Sequence, residues 1–122
     1  MKSSAPPAPF TCQYTTEFAR LINDLGCTLA LSTYQAGKLV FFSGNGKGGL
    51  TQLPRSFDRA MGVAEDVGRD LLAVACRDRI EVHRNSSDLR LHYPKAPSKY
   101  NALYMPQITY YTGPLDVHDL HF

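Results

Sequence analysis

The chain has 122 residues, 43% of them hydrophobic and 20% charged, with 13 basic and 11 acidic side chains and a formal net charge of +2. That apolar content suits one modest domain with a core and excludes a disordered chain. The near balance of charge gives no electrostatic case for nucleic acid or an anionic membrane surface as a partner.

The opening stretch, Met1 to Pro9, reads MKSSAPPAP. It lacks an apolar run of signal-peptide length, and no run in the chain approaches the ~18 apolar residues of a membrane span. Three well-separated cysteines, Cys12, Cys27 and Cys76, form no CxxC pair. Their odd number suits a reducing compartment better than a disulfide scaffold, so the cytoplasm is the expected location.

Residues 1–13 carry Pro6, Pro7 and Pro9 and are expected to be a flexible tail. Over residues 14–26 the apolar Phe18, Leu21, Ile22 and Leu25 recur at helical spacing, a threonine is available to cap the start, and Gly26 can take the left-handed cap. A short helix lying over the sheets is predicted there.

Strand signals follow. Thr28–Thr33 and Lys38–Ser43 are rich in β-favouring residues and flank the turn Tyr34-Gln35-Ala36-Gly37. Gly44 to Gly49 is a second turn, leading to Leu50–Leu53. It fails the phosphate-loop pattern, because Gly46-Lys47 is followed by Gly48 rather than serine or threonine. Met61–Ala64, Leu71–Cys76 and Ile80–Arg84 read as three more strands, with turns over 65–70 and 77–79. In the last of these, Ile80 and Val82 are expected to face a core and Glu81 and His83 to face away.

Two stretches repeat: Leu29-Ala30-Leu31-Ser32-Thr33 aligns with Leu72-Ala73-Val74-Ala75-Cys76 at an offset of 43 (72 − 29), and Lys38–Phe41 with Arg79–Val82 at 41 (79 − 38). A strand–turn–strand unit recurring every ~40–45 residues has the period of a propeller blade, although tandem meanders in a sandwich share the pattern. The Tyr/Pro-rich stretch 91–113 breaks the period and reads as a connection, and the alternating Leu115–Phe122 reads as a strand opening a third unit.

Three strings, Ser32–Leu39 (STYQAGKL), Arg55–Gly62 (RSFDRAMG) and Tyr110–Asp119 (YYTGPLDVHD), resemble ordered signatures of a bacterial family of conserved hypothetical, propeller-like proteins. The resemblance covers about residues 18 to 122. It implies an all-β fold with a short N-terminal helix: a partial β-propeller of about two four-stranded blades plus the start of a third. The blade-like units are expected at 27–57 and 60–90, within a propeller portion spanning 27–122. Ala60 stands where the family has proline, and Pro114 where it has aspartate. Family members are longer, so this chain is expected to be their first third, a fragment, with an open sheet edge that favours self-association. The family is a domain of unknown function, so the resemblance implies no reaction.

Candidate sites fall in or beside turns, in the connection around Phe57 and in the last expected strand. Tyr34, Gln35 and Lys38 sit where propellers present ligand-contacting turns, or else serve only to pack the turn. Arg55, Asp58 and Arg59 flank Phe57; they either bind an anionic group through the guanidinium fork or fix the loop through an Asp58–arginine pair. In the strand expected over Leu115–Phe122, Asp116 and His118 lie two apart and point the same way, with Asp119 beside them. They are either hydrogen-bonding groups between blades or ligands for a divalent metal, calcium or zinc. No other cofactor is expected, and no Ser/His/Asp or Cys/His constellation can be assembled. The stronger expectation is a non-catalytic module binding an unknown small ligand or protein, and the alternative is a metal-dependent propeller hydrolase or lactonase.

Overall fold

The computed structural model describes residues 10–86 and 102–122. Expectations for residues 1–9, for the end of the 60–90 unit and for Tyr93, Pro94, Pro97 and Tyr100 lie outside the described residues. The chain divides into two compact units, Met1–Leu31 with Val40–Pro54, and Ser32–Leu39 with Arg55–Phe122.

The predicted helix is α1, Thr16–Leu25. Thr15 is extended and its hydroxyl accepts from the Phe18 amide at 3.1 Å. Gly26, at φ 60°, donates back to the carbonyls of Ile22 and Asn23, so each end of the helix is capped. The buried face differs from the one expected from periodicity. Ala19 and Ile22 are buried, whereas Leu21 and Leu25 are exposed. Asn23 sets this rotation: its Nδ2 donates to Ala19 O (2.7 Å) and to Gly49 O (2.9 Å), and its Oδ1 accepts from Gly46 N (3.1 Å). The two bonds to Gly46 and Gly49 tie that face to the 45–49 loop, and the leucines are left in solvent. Gly44 must be glycine for the same reason, since a Cβ there would lie 3.0 Å from Asn23 Cα and closer still to its side chain.

Strands β1 (Thr28–Thr33), β2 (Lys38–Gly44) and β3 (Leu50–Ser56) form a three-stranded sheet in the order β1-β2-β3. The central β2 buries Leu39, Val40 and Phe42. The third strand runs past the expected Leu50–Leu53, through Pro54, Arg55 and Ser56. Pro54 is tolerated because β3 is an edge strand, where a missing N–H costs no ladder bond.

The second sheet is a four-stranded meander: β4 (Val63–Asp66), β5 (Leu71–Ala75), β6 (Arg79–Asn85) and β7 (Tyr104–Tyr111), ordered β4-β5-β6-β7 with the three neighbouring pairs antiparallel. A single 3₁₀ turn, Val67–Arg69, joins β4 to β5; the Asp66 carboxylate caps it by accepting from Arg69 N (3.0 Å) and Nε (2.6 Å). Every residue of β5 is buried, as expected of an apolar run covered on both faces. One face carries Leu71, Ala73 and Val82, flanked by Ala64, Ile80 and Leu120.

Two expectations are corrected here. The connection assigned to 91–113 contains a full strand, β7, and its Pro106 had argued against pairing. The register shift opposite Val82/His83 accommodates it: Val82 faces Ile108 and His83 faces Pro106, leaving Gln107 as the extra residue of a bulge on an edge strand. Proline and bulge also blunt that outer edge against further pairing. Conversely, Leu115–Phe122 forms no strand. Its alternation marks an extended chain laid against the sheet. Val117 O accepts from Gly62 N at 3.1 Å, Leu120 packs on the Leu71/Ala73/Val82 cluster, and the Phe122 ring lies under the Arg69 guanidinium at 5.4 Å. The sheets therefore have three and four strands rather than four each, and no third unit begins within the described residues.

Candidate functional site

Loops from four places in the sequence converge on one cleft of about 210 Å³ in the second unit, lined by Tyr34, Arg59, Met61, Arg77, Pro114, Leu115 and Asp116. Tyr34 stands at the β1–β2 turn, which Gly37 closes at φ 60° while its carbonyl accepts from Phe57 N at 2.9 Å. A Cβ on Gly37 would sit 3.2 Å from Phe57 O, so the turn and the β3–β4 connection are held close. In that connection Arg59 adopts φ 51°, unusual for a side-chain-bearing residue. Its guanidinium carbon stands 5.8 Å from the centre of the Tyr34 ring. Arg77 enters from the β5–β6 turn, and its amide donates to Asp58 O at 2.9 Å.

Charge in the cleft is unbalanced: two guanidinium groups face one carboxylate. Among the described residues neither Arg59, Arg77 nor Asp116 takes part in an ion pair. All three are exposed, and the two guanidinium groups offer the planar fork of donors that fits a carboxylate or phosphate.

The sequence candidates distribute unevenly around this cleft. Tyr34, Arg59 and Asp116, taken from three separate motifs, come together. Gln35 is exposed and is not among the lining residues. Lys38 is turned to its own sheet, donating from Nζ to Ser56 Oγ at 2.7 Å. Arg55 lies exposed in β3. Asp58 anchors the loop through its backbone carbonyl to Arg77, where a side-chain ion pair had been expected. His118 is exposed, and Asp119 Oδ1 accepts from Leu120 N at 2.9 Å. Among the described residues no group of three or more His, Cys, Asp or Glu side chains is placed to hold a metal ion, so Asp116, His118 and Asp119 do not converge as ligands.

Arg77 was read from sequence as an ordinary turn residue. Its signal lay in the repeat, because the offset of 43 that aligns Leu29 with Leu72 also aligns Tyr34 with Arg77 (34 + 43). Equivalent turns of the two strand pairs thus line the same cleft.

A second polar group sits under the sheet. Glu81 Oε2 accepts from Arg79 Nε (3.3 Å) and Cys76 Sγ (3.5 Å), and Arg79 also reaches Asp78 Oδ1 at 3.0 Å. Burial, with Glu81 adding to it, pushes the Cys76 thiol up to about 12, so it stays protonated and is no nucleophile at neutral pH. His83 is 8% exposed and stacks edge-on against Phe57, with ring centroids 5.6 Å apart. Its Nε2 has no hydrogen-bond partner and lies 3.8 Å from Glu81 Oε1. The sequence had turned His83 to solvent; the second face of the sheet is covered as well, which an alternating pattern does not reveal.

Burial lowers the His83 pKa below 6.5, with the Glu81 charge opposing the shift. The unfolded chain then takes up the proton first as pH falls. The stability contribution is complete above 6.5 and declines as pH drops from there toward the native value, by about 1.4 kcal/mol for each unit of depression. Urea midpoints measured at pH 7.5 and at pH 5, in roughly physiological salt, should therefore differ. His83→Leu should flatten that dependence.

These observations define a mostly β protein, with a short helix, two antiparallel sheets and an arginine-lined loop cleft. The chain belongs to the family described as domain of unknown function DUF4915, whose family model matches residues 16–122. No curated protein and no solved structure matches it. Among the described residues no helix is long and apolar enough to cross a membrane.

Proposed function

We propose that this chain is a non-catalytic binding module of propeller type, each sheet serving as a blade, and that its loop cleft holds a small anionic ligand. The observation that carries the reading is the pair of arginines, Arg59 and Arg77, lining one cleft of about 210 Å³ with no carboxylate partner among the described residues. Support for the propeller comes from the β4–β7 meander in chain order and from the repeat that makes Tyr34 and Arg77 equivalent. The three cysteines are free, which fits a reducing cytoplasm. A metal-dependent hydrolase or lactonase has less support, since of Asp116, His118 and Asp119 only Asp116 lines the cleft.

The test is a titration of the labelled chain with propionate at low ionic strength, followed through backbone amide shifts. Saturable changes should concentrate at Tyr34, Arg59, Met61, Arg77, Leu115 and Asp116 and weaken on adding salt, because the guanidinium groups are screened. Arg77→Gln should reduce them without altering the fold. Shifts that are absent, or scattered over the surface, would contradict the proposal.

A further inference from the structure

Resting on that reading of the cleft, we infer that its ligand is a short-chain hydroxy acid rather than a plain carboxylate. Asp116 carries the argument. A site evolved only for a negative charge would gain nothing from a carboxylate in its wall, which repels the ligand and cannot donate a hydrogen bond to it. Yet Asp116 lines the cleft with both arginines and, among the described residues, forms an ion pair with neither. An acceptor lining the same cleft as two arginines is complementary to a molecule bearing an anionic group and, close to it, a hydrogen-bond donor.

Charge decides between donors. Two arginines and one aspartate leave the lining at +1. A hydroxy acid, net −1, neutralises it, whereas an amino acid, net zero, leaves one positive charge unmatched. The rest of the wall is Met61, Pro114, Leu115 and Tyr34, which suits a short aliphatic stem and leaves few polar groups for further hydroxyls. The volume of about 210 Å³ has room for only a small molecule. A wider hollow of about 440 Å³ beside Ala64–Val67 and Leu120–Phe122 lacks this pattern, because Asp66 there is already paired with Arg69.

The experiment compares lactate, propionate, alanine and propylamine on the full chain by amide-shift titration, with Asp116→Ala and Arg77→Gln alongside. Lactate is expected to bind about tenfold more tightly than propionate, the effect of one charge-assisted hydrogen bond. Asp116→Ala should abolish that preference without weakening propionate, and Arg77→Gln should weaken both acids alike. Equal affinity for lactate and propionate would overturn the inference while leaving the anion site standing. Alanine binding best would replace the hydroxy acid with a zwitterion. Propylamine binding in preference to the acids, or no probe perturbing the cleft, would remove the anion site as well.

Discussion

Replacing Leu39 by alanine is expected to lower the stability of the chain by about 2–5 kcal/mol, a large share of the ~5–15 kcal/mol that holds a domain together. Leu39 is 0% exposed, one of three large side chains among the described residues with essentially no contact with water, the others being Val40 and Val74. Truncation removes its transfer energy and leaves a cavity that a strand in the centre of a sheet is poorly able to close. Ile108 provides the control. It is also a β-strand aliphatic but is 45% exposed on the edge strand β7, so Ile108→Ala should cost roughly 1 kcal/mol or less. Urea unfolding should show the Leu39 midpoint falling far more than that of Ile108, with little change in slope. Equal shifts would mean that the core does not lie at β2.

Gly62→Ala is expected to be nearly as damaging, for a different reason. A Cβ on Gly62 would lie 3.0 to 3.2 Å from the backbone N, Cα and C of Asp119, and a backbone cannot step aside as a flexible side chain can. The same residue donates to Val117 O and accepts from Ala75 N at 2.8 Å, which ties the C-terminal segment to the end of β5. Adding one methyl group should lift that segment off, unseat Leu120 from the Leu71/Ala73/Val82 cluster, and cost about 1–3 kcal/mol. Hydrogen exchange should show lost protection at the amide of residue 62 and at that of Ala75. Gly68→Ala meets only the Asp66 carboxylate oxygen at an ordinary 3.5 Å and should be close to neutral. If the two substitutions behave alike, the extended segment is not seated against Gly62.

The local elements were legible where backbone chemistry is local. Thr15 and Gly26 bound α1 because capping depends on neighbouring residues, and the turn at Tyr34–Gly37 follows from Gly37 needing a positive φ. What failed depends on partners distant in sequence. The helix face was misassigned because Asn23 bonds to Gly46 and Gly49, which no periodicity records. Strand β7 was hidden by Pro106, which becomes acceptable only once β6 fixes it at an edge with a bulge. Leu115–Phe122 alternates like a strand yet lies extended on a sheet face, since alternation reports burial on one side and not ladder pairing.

The site divides in the same way. Tyr34 and Arg59 were visible as loop residues with binding chemistry, and Asp116 as a candidate ligand in an expected strand. That they share a cleft was not, because it depends on how the β1–β2 turn, the β3–β4 connection and the segment after β7 come together. Arg77 looked ordinary until the 43-residue offset placed it opposite Tyr34 in the repeat.

An anomalous difference map from crystals grown in bromide addresses the anion cleft most directly, since the halide reports where unpaired positive charge gathers. A strong bromide peak within hydrogen-bonding reach of the Arg59 and Arg77 guanidinium groups, with Asp116 ion-paired to neither, is the result expected. Arginines clasping Asp116 or Asp58 as closed ion pairs, with no halide between them, would show a loop lock in place of a binding site.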